Sequence, residues 1–132
     1  MLTLRQKAEL CNLNAEREYR IAREAERQAE YARERGDVSD AMQQAKKAEA
    51  AAKETEELAA KAENYFDLAF DEGITGDELN TIGLAANAAR EWYLDAMYSA
   101  SCALSSAMFA QEEVKNPEWI LIAGDPQTLC RN

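Results

Sequence analysis

Histidine is absent from this chain of 132 residues. Its absence excludes Ser-His-Asp and Cys-His catalytic arrangements, histidine metal sites and the usual general base near neutral pH. It also excludes the Glu-x-x-His pairs of bundle enzymes that hold a di-metal site, which makes a helical-bundle enzyme the weakest reading of the chain. We therefore predict that the protein is not an enzyme and has no catalytic, cofactor-binding or metal-binding residues.

Cysteine is scarce and does not occur in paired spacing. The three cysteines, Cys11, Cys102 and Cys130, are an odd number and lie too far apart for a zinc-binding motif. Arg5 and Lys7 stand where a signal peptide needs an apolar core, and no apolar run approaches the ~20 residues that span a bilayer. We expect reduced thiols and a cytoplasmic protein that does not enter a membrane.

Proline and glycine are rare, with two and five residues respectively, so three long segments continue without interruption. In each segment, apolar residues recur at alternating intervals of three and four, and most of them are alanine. This spacing is typical of helices that lie side by side. We call these positions the seams; they are Leu4, Ala8, Cys11, Ala15, Glu18, Ala22, Ala25, Ala29 and Ala32; then Val38, Ala41, Ala45, Ala48, Ala52, Thr55, Ala59, Ala62, Phe66 and Ala69; then Leu79, Ile82, Ala86, Ala89, Tyr93, Ala96, Ala100, Ala103, Ala107, Ala110 and Val114.

The seams predict an all-α fold with helices over about 3–35, 38–70 and 77–115. Short connections at Gly36 and at 71–76 make neighbouring helices antiparallel. The expected architecture is an elongated three-helix bundle, or alanine-rich coiled coil, that runs up-down-up. We expect a single domain over 1–132, with a short helical or extended segment at 117–132.

The charge is strongly negative, with a formal net charge of −10. That balance disfavours direct binding to nucleic acid or to an anionic membrane. No basic residue occurs between Lys61 and Arg90, whereas acidic residues are frequent there. We predict a partner-binding surface at the acidic end of the bundle, formed by Asp67, Asp71, Glu72, Asp77 and Glu78.

The third helix has more apolar surface than one seam requires. Leu94, Met97, Leu104 and Met108 form a second apolar flank, which suits a helix that contacts either two helices of its own chain or one helix and a second copy. The oligomeric state is therefore left open, with a homodimer as one of the two solutions.

A stripe opposite the third seam combines Tyr98, Cys102 and Phe109 within about 40° at 100° per residue. We expect Tyr98 and Phe109 to be exposed and to contact a partner, or else to be covered by the C-terminal segment.

Two kinds of binding protein fit these features. The first is a non-catalytic module that bridges, scaffolds or blocks a macromolecular partner through the acidic end and the surface of the third helix. The second is a small acidic inhibitor of the kind that phages and mobile elements encode, of the anti-CRISPR or anti-restriction type. It would occupy a basic nucleic-acid-binding surface with carboxylates in place of phosphates. The 15 basic residues interspersed in the chain argue against pure mimicry of nucleic acid.

Overall fold

A computed structural model of the protein describes residues 1–115. They form three helices, α1 (Leu4–Glu34), α2 (Val38–Asp71) and α3 (Gly76–Lys115), and each helix packs against both of the others. The predicted all-α antiparallel three-helix bundle is confirmed, and the predicted helix bounds differ from the observed ones by one residue at most. The expected C-terminal segment at 117–132 lies outside the described residues.

Glycine ends both of the first two helices. Gly36 has a φ of 74° and Gly73 a φ of 83°, which is left-handed backbone that glycine adopts without steric cost. The residue that follows each glycine donates its amide hydrogen to a carbonyl in the last turn of the helix. Asp37 N donates to Ala32 O at 2.9 Å, and Ile74 N donates to Ala69 O at 3.0 Å. These are Schellman motifs, which satisfy the last carbonyls and reverse the chain within a few residues.

Polar side chains cap the starts of α1 and α2. Asp37 accepts from the amide of Asp40 at 3.0 Å, as one of the two caps expected for α2. Thr3 and Gln6 form a reciprocal capping box at the start of α1. The sequence carries the signal for this box, since threonine stands three residues before glutamine immediately ahead of an apolar seam.

The alanine seams form the core. Thirteen seam alanines are fully buried, and they come from all three helices: Ala8, Ala15, Ala22, Ala29, Ala32, Ala41, Ala48, Ala62, Ala69, Ala89, Ala96, Ala103 and Ala107. Thr55 is buried among them because its hydroxyl donates to Ala52 O at 2.6 Å. Val114 is the exception, since it is exposed on the last turn of the longest helix.

Larger apolar side chains gather where α1 starts, α2 ends and α3 starts. The cluster there surrounds Ile82 and includes Leu4, Tyr65, Phe66, Ile74 and Leu79. Three other large apolar residues of this end are exposed: Leu2, Leu10 and Phe70.

Two charged residues of α1 are buried, although the charges of this helix look like an ordinary solvated face in the sequence. Glu26 is fully buried and pairs with Arg23 at 2.9 Å. Arg33 lies between α1 and α3 and donates to Glu113 Oε1 from Nε and from Nη2, both at 2.8 Å. Glu18, the charge in the first seam, is half-buried, as expected for a seam that opens toward solvent there.

Candidate partner-binding surfaces

The acidic end lies where α2 ends and α3 begins. The five predicted carboxylates are exposed there, and none of them takes part in an ion pair among the described residues 1–115; they are Asp67, Asp71, Glu72, Asp77 and Glu78. The sequence pattern thus identified a group of side chains that the fold brings together at one end.

Helix dipoles explain only part of this group. Asp77 and Glu78 are in the first turn of α3, where negative charge is favourable, by about 0.3–1 kcal/mol per residue at exposed positions. Asp67 and Asp71 are in the last turns of α2, where negative charge is unfavourable and no basic residue compensates it in the last turn. These two carboxylates are not required by the helices that carry them, which favours a role outside the fold.

The start of α1 brings basic side chains to the same end. Arg5 pairs with Glu9 at 2.9 Å; this hydrogen bond and the charge of Glu9, followed by a smaller contribution from Glu78, raise the pKa of Arg5. Lys7 lies over the ring of Tyr65, at 5.9 Å from its centroid. The acidic end therefore has few basic residues but is not free of them. The segment between Lys61 and Arg90 has none, and α1 brings Arg5 and Lys7 next to it.

An aromatic ring lies among the acids. Phe70 is 66% exposed and is adjacent in sequence to Asp71. Ala69 occupies the seam position next to Phe70, and Ile74 returns from the Schellman turn to pack in the same apolar cluster as Ala69. Because exposed aromatic rings often anchor protein partners, Phe70 joins the candidate surface.

A shallow groove runs between α2 and α3 beside the acids. It is lined by Glu63, Phe66, Asp67, Gly83 and Asn87, with Ala86. A Cβ atom on Gly83 would lie 3.1 Å from Cε2 of Phe66, so the missing side chain lets the ring sit directly on α3. The sequence carries a faint signal for this groove, namely a glycine inside an otherwise alanine-rich helix.

The expected exposure of the aromatic stripe on α3 is observed for Tyr98 but not for Phe109, and the alternative, coverage by the C-terminal segment, concerns residues outside the described ones. Tyr98 is exposed, but Phe109 is only 7% exposed and Cys102 is fully buried. The spacing places all three opposite the third seam, so the burial of Phe109 and Cys102 shows that the covered arc of α3 is wider than one seam. Of the stripe, only Tyr98 retains the accessibility that a contact residue needs, and its role in binding stays a prediction.

Trp92 joins α3 to α1 by two contacts. Trp92 Nε1 donates to Asn12 Oδ1 at 3.0 Å, and its ring stacks on Tyr19 with centroids 5.2 Å apart. Burial raises the pKa of the Cys11 thiol, while Lys61 lowers it by a smaller amount. The thiol is therefore protonated near neutral pH and a poor nucleophile.

The described residues contain no group of three or more histidine, cysteine or acidic residues placed to hold a metal ion. No helix within residues 1–115 is both long enough and apolar enough to cross a membrane. Charge, exposed rings and grooves between helices are the means by which this part of the chain can recognise another molecule.

Comparison with protein-family models, curated proteins and solved structures found no match to this chain, so its function is argued from its own geometry.

Proposed function

We propose that the protein is a non-catalytic binding module that recognises a basic macromolecular partner through its acidic end. The observation that carries this proposal is the group of five exposed carboxylates around the exposed ring of Phe70. Together they combine long-range attraction with an apolar contact that can be desolvated.

Electrostatic attraction and apolar contact would act at different stages of binding. The carboxylates attract a basic surface over about 10 Å at 0.1 M salt, which raises the association rate. Phe70, once covered, loses water from its ring and slows dissociation. A rod with its recognition surface at one end suits bridging, scaffolding or blocking, and Tyr98 on the side of α3 offers a second contact.

The more specific candidate is an inhibitor of a basic nucleic-acid-binding protein, of the type that phages and mobile elements encode. Asp67 and Asp71 are four residues apart along α2, so that their carboxylates lie about 6 Å apart in rise, and Glu63, which pairs with Arg90 at 3.7 Å, continues the same row. A row of negative charges along one edge is what a channel for a phosphate backbone would accept.

Affinity purification from the native host, at about 0.05 M and 0.5 M salt, tests the proposal. The bait is compared with a variant that neutralises the acidic end, Asp67→Asn, Asp71→Asn, Asp77→Asn and Glu78→Gln. A matched control removes the same number of exposed charges away from the acidic end: Glu34→Gln, Glu54→Gln, Glu56→Gln and Glu57→Gln.

We expect a basic protein that is retained at low salt by the wild type and by the control, and lost at high salt and with the acidic-end variant. Competition by DNA for that same protein would support the inhibitor over a general binding module. Equal retention by the wild type and the acidic-end variant would contradict the proposal. Phe70→Ala should accelerate dissociation more than it slows association.

A further inference from the structure

A second seam runs along the outside of α3. Leu94, Met97, Ser101, Leu104 and Met108 follow the same alternation of three and four residues as the buried seam, but all five are exposed, and two of them lie at the edge of a groove between α3 and α2. The four apolar members are between 43% and 54% exposed. We call these five residues the outer seam.

Two features separate the outer seam from ordinary scattered exposure. Its large residues are leucine and methionine, whereas the inner seam of α3 is mostly alanine. In addition, no charged residue occurs between Asp95 and Glu112, in a chain that is 30% charged. A solvated helix face normally carries charges, so this stretch has the composition of a helix that is covered on more than its inner side.

We propose that the outer seam is the interface of a homodimer, in which α3 packs antiparallel against α3 of a second copy. The order of its residues is close to a palindrome about Ser101. In the antiparallel arrangement the small Ser101 meets itself on the two-fold axis and Leu94 lies opposite Met108 of the copy. Met97 lies within one residue, about 1.5 Å in rise, of the position opposite Leu104. Each large side chain thus faces another large one, as a symmetric interface requires.

Charge repulsion favours the antiparallel over the parallel dimer, and the residues beside the interface carry no net charge that would oppose it. A parallel pair would bring the two acidic ends together, whereas the antiparallel pair places them at opposite ends of the assembly. Ser101 and Leu104 of the outer seam line a groove between α2 and α3. The α2 side of this groove includes Met42, Lys46 and Glu49, which are one apolar, one basic and one acidic residue. Two such rims facing each other add no net charge to the interface.

The area is sufficient for a modest dimer. Four half-exposed leucine and methionine side chains leave roughly 400 Å² of apolar surface per copy, within the about 300–600 Å² of the largest patch on a typical monomer. With the flanking residues, two copies would bury on the order of 1,200 Å² in total, at the lower bound for specific interfaces. We expect a dissociation constant on the order of micromolar.

Sedimentation equilibrium of the full chain from about 1 to 200 µM tests the dimer. The mass of the wild type should rise toward twice the 14.7 kDa of the chain. Leu104→Glu should weaken the dimer by at least about 100-fold, since each copy then buries a carboxylate in an apolar contact. Leu68→Glu is the matched control, because Leu68 and Leu104 are both 48% exposed and Leu68 lies on α2 outside the outer seam.

Three results would overturn the proposal: a wild type that stays monomeric over the whole range, a dimer that survives Leu104→Glu, or a dimer that Leu68→Glu weakens equally. Circular dichroism of each variant shows whether it is folded. If Leu104→Glu fails to fold, Met97→Gln replaces it, with a weaker dimer expected and an unchanged one contradicting the interface.

Cross-linking tests the direction of packing. Ser101→Cys should form a disulfide-linked dimer upon oxidation, far above the level of the wild type. Ser39→Cys is the control, because it adds a cysteine at an exposed serine in the first turn of α2, and it should cross-link no more than the wild type. Leu94→Cys alone should cross-link poorly, because it faces Met108 of the copy and not itself. Strong cross-linking of Leu94→Cys would overturn the antiparallel arrangement. These tests involve no host partner, so they are independent of the proposed function.

Discussion

Replacing Ala96 by leucine tests how closely the three helices approach. Ala96 is fully buried in the middle of the rod, where it packs with Ala22, Ala51 and Ala52 from the other two helices. Leucine adds three carbon atoms at a point where the buried neighbours from the other two helices are all alanine. The added atoms have room only if a helix moves outward or a side chain leaves its preferred rotamer.

The expected loss follows from that geometry. Leucine and alanine have nearly equal helix propensity, so the substitution changes packing and little else. Overpacking a close core typically costs about 1–3 kcal/mol, and this site is at the upper end because methyl groups surround it on two sides. The matched control is Ala60→Leu, which makes the same change at an exposed position of α2 and should alter stability by less than about 0.5 kcal/mol.

Urea unfolding followed by circular dichroism measures both variants. We expect Ala96→Leu to lower the free energy of unfolding by about 2–3 kcal/mol, and the melting temperature by on the order of 10 °C, relative to Ala60→Leu. If the two variants were equally stable, the helices would have space between them in the middle of the rod. The claim that alanine seams pack the three helices closely would then be refuted.

Three further substitutions probe contacts of α1. Asn12→Ala should lower the free energy of unfolding by about 1 kcal/mol in urea titrations, because Trp92 Nε1 loses its acceptor; no change would show that this bond adds nothing. Glu113→Gln should lower it by about 1–3 kcal/mol, with little dependence on salt, because the buried guanidinium of Arg33 loses a charged neighbour; a loss abolished by 1 M salt would indicate an exposed pair. For Cys11, burial raises the pKa above 9.0, so the unfolded chain ionises first and stability falls as the pH rises past about 9. Cys11→Ala should reduce that fall between pH 7.5 and 10 in urea titrations, and an unchanged pH dependence would contradict the assignment.

The sequence predicted the bundle well because its signals are local. Alternating spacing marks which side of a helix is apolar, and Gly36 and Gly73 end helices through their own backbone freedom. The acidic end was also predictable, since Asp67 to Glu78 flank one short turn and must lie together whatever the packing is.

Other features depend on which helix lies opposite, and spacing within one helix does not contain that information. Phe109 lies opposite the third seam by its spacing, yet it is buried, so the seam alone does not define which face of α3 is covered. Phe70 is apolar and close to the seam, yet it is exposed because Ala69 and Ile74 are part of the apolar cluster at that end. Arg33 looked like a surface charge until the fold placed Glu113 beside it, 80 residues further along the chain.

Native-state hydrogen exchange tests the central claim most directly, namely that alanine seams join three long helices into one cooperative unit. The amides of Ala22, Ala52 and Ala96, one from each helix at mid-rod, are the probes. We predict that all three exchange with the same free energy of opening, equal to that of global unfolding in urea. If the amide of Ala96 alone exchanged faster, with a free energy of opening well below that of global unfolding, α3 would separate from the other two helices. That result would contradict the account.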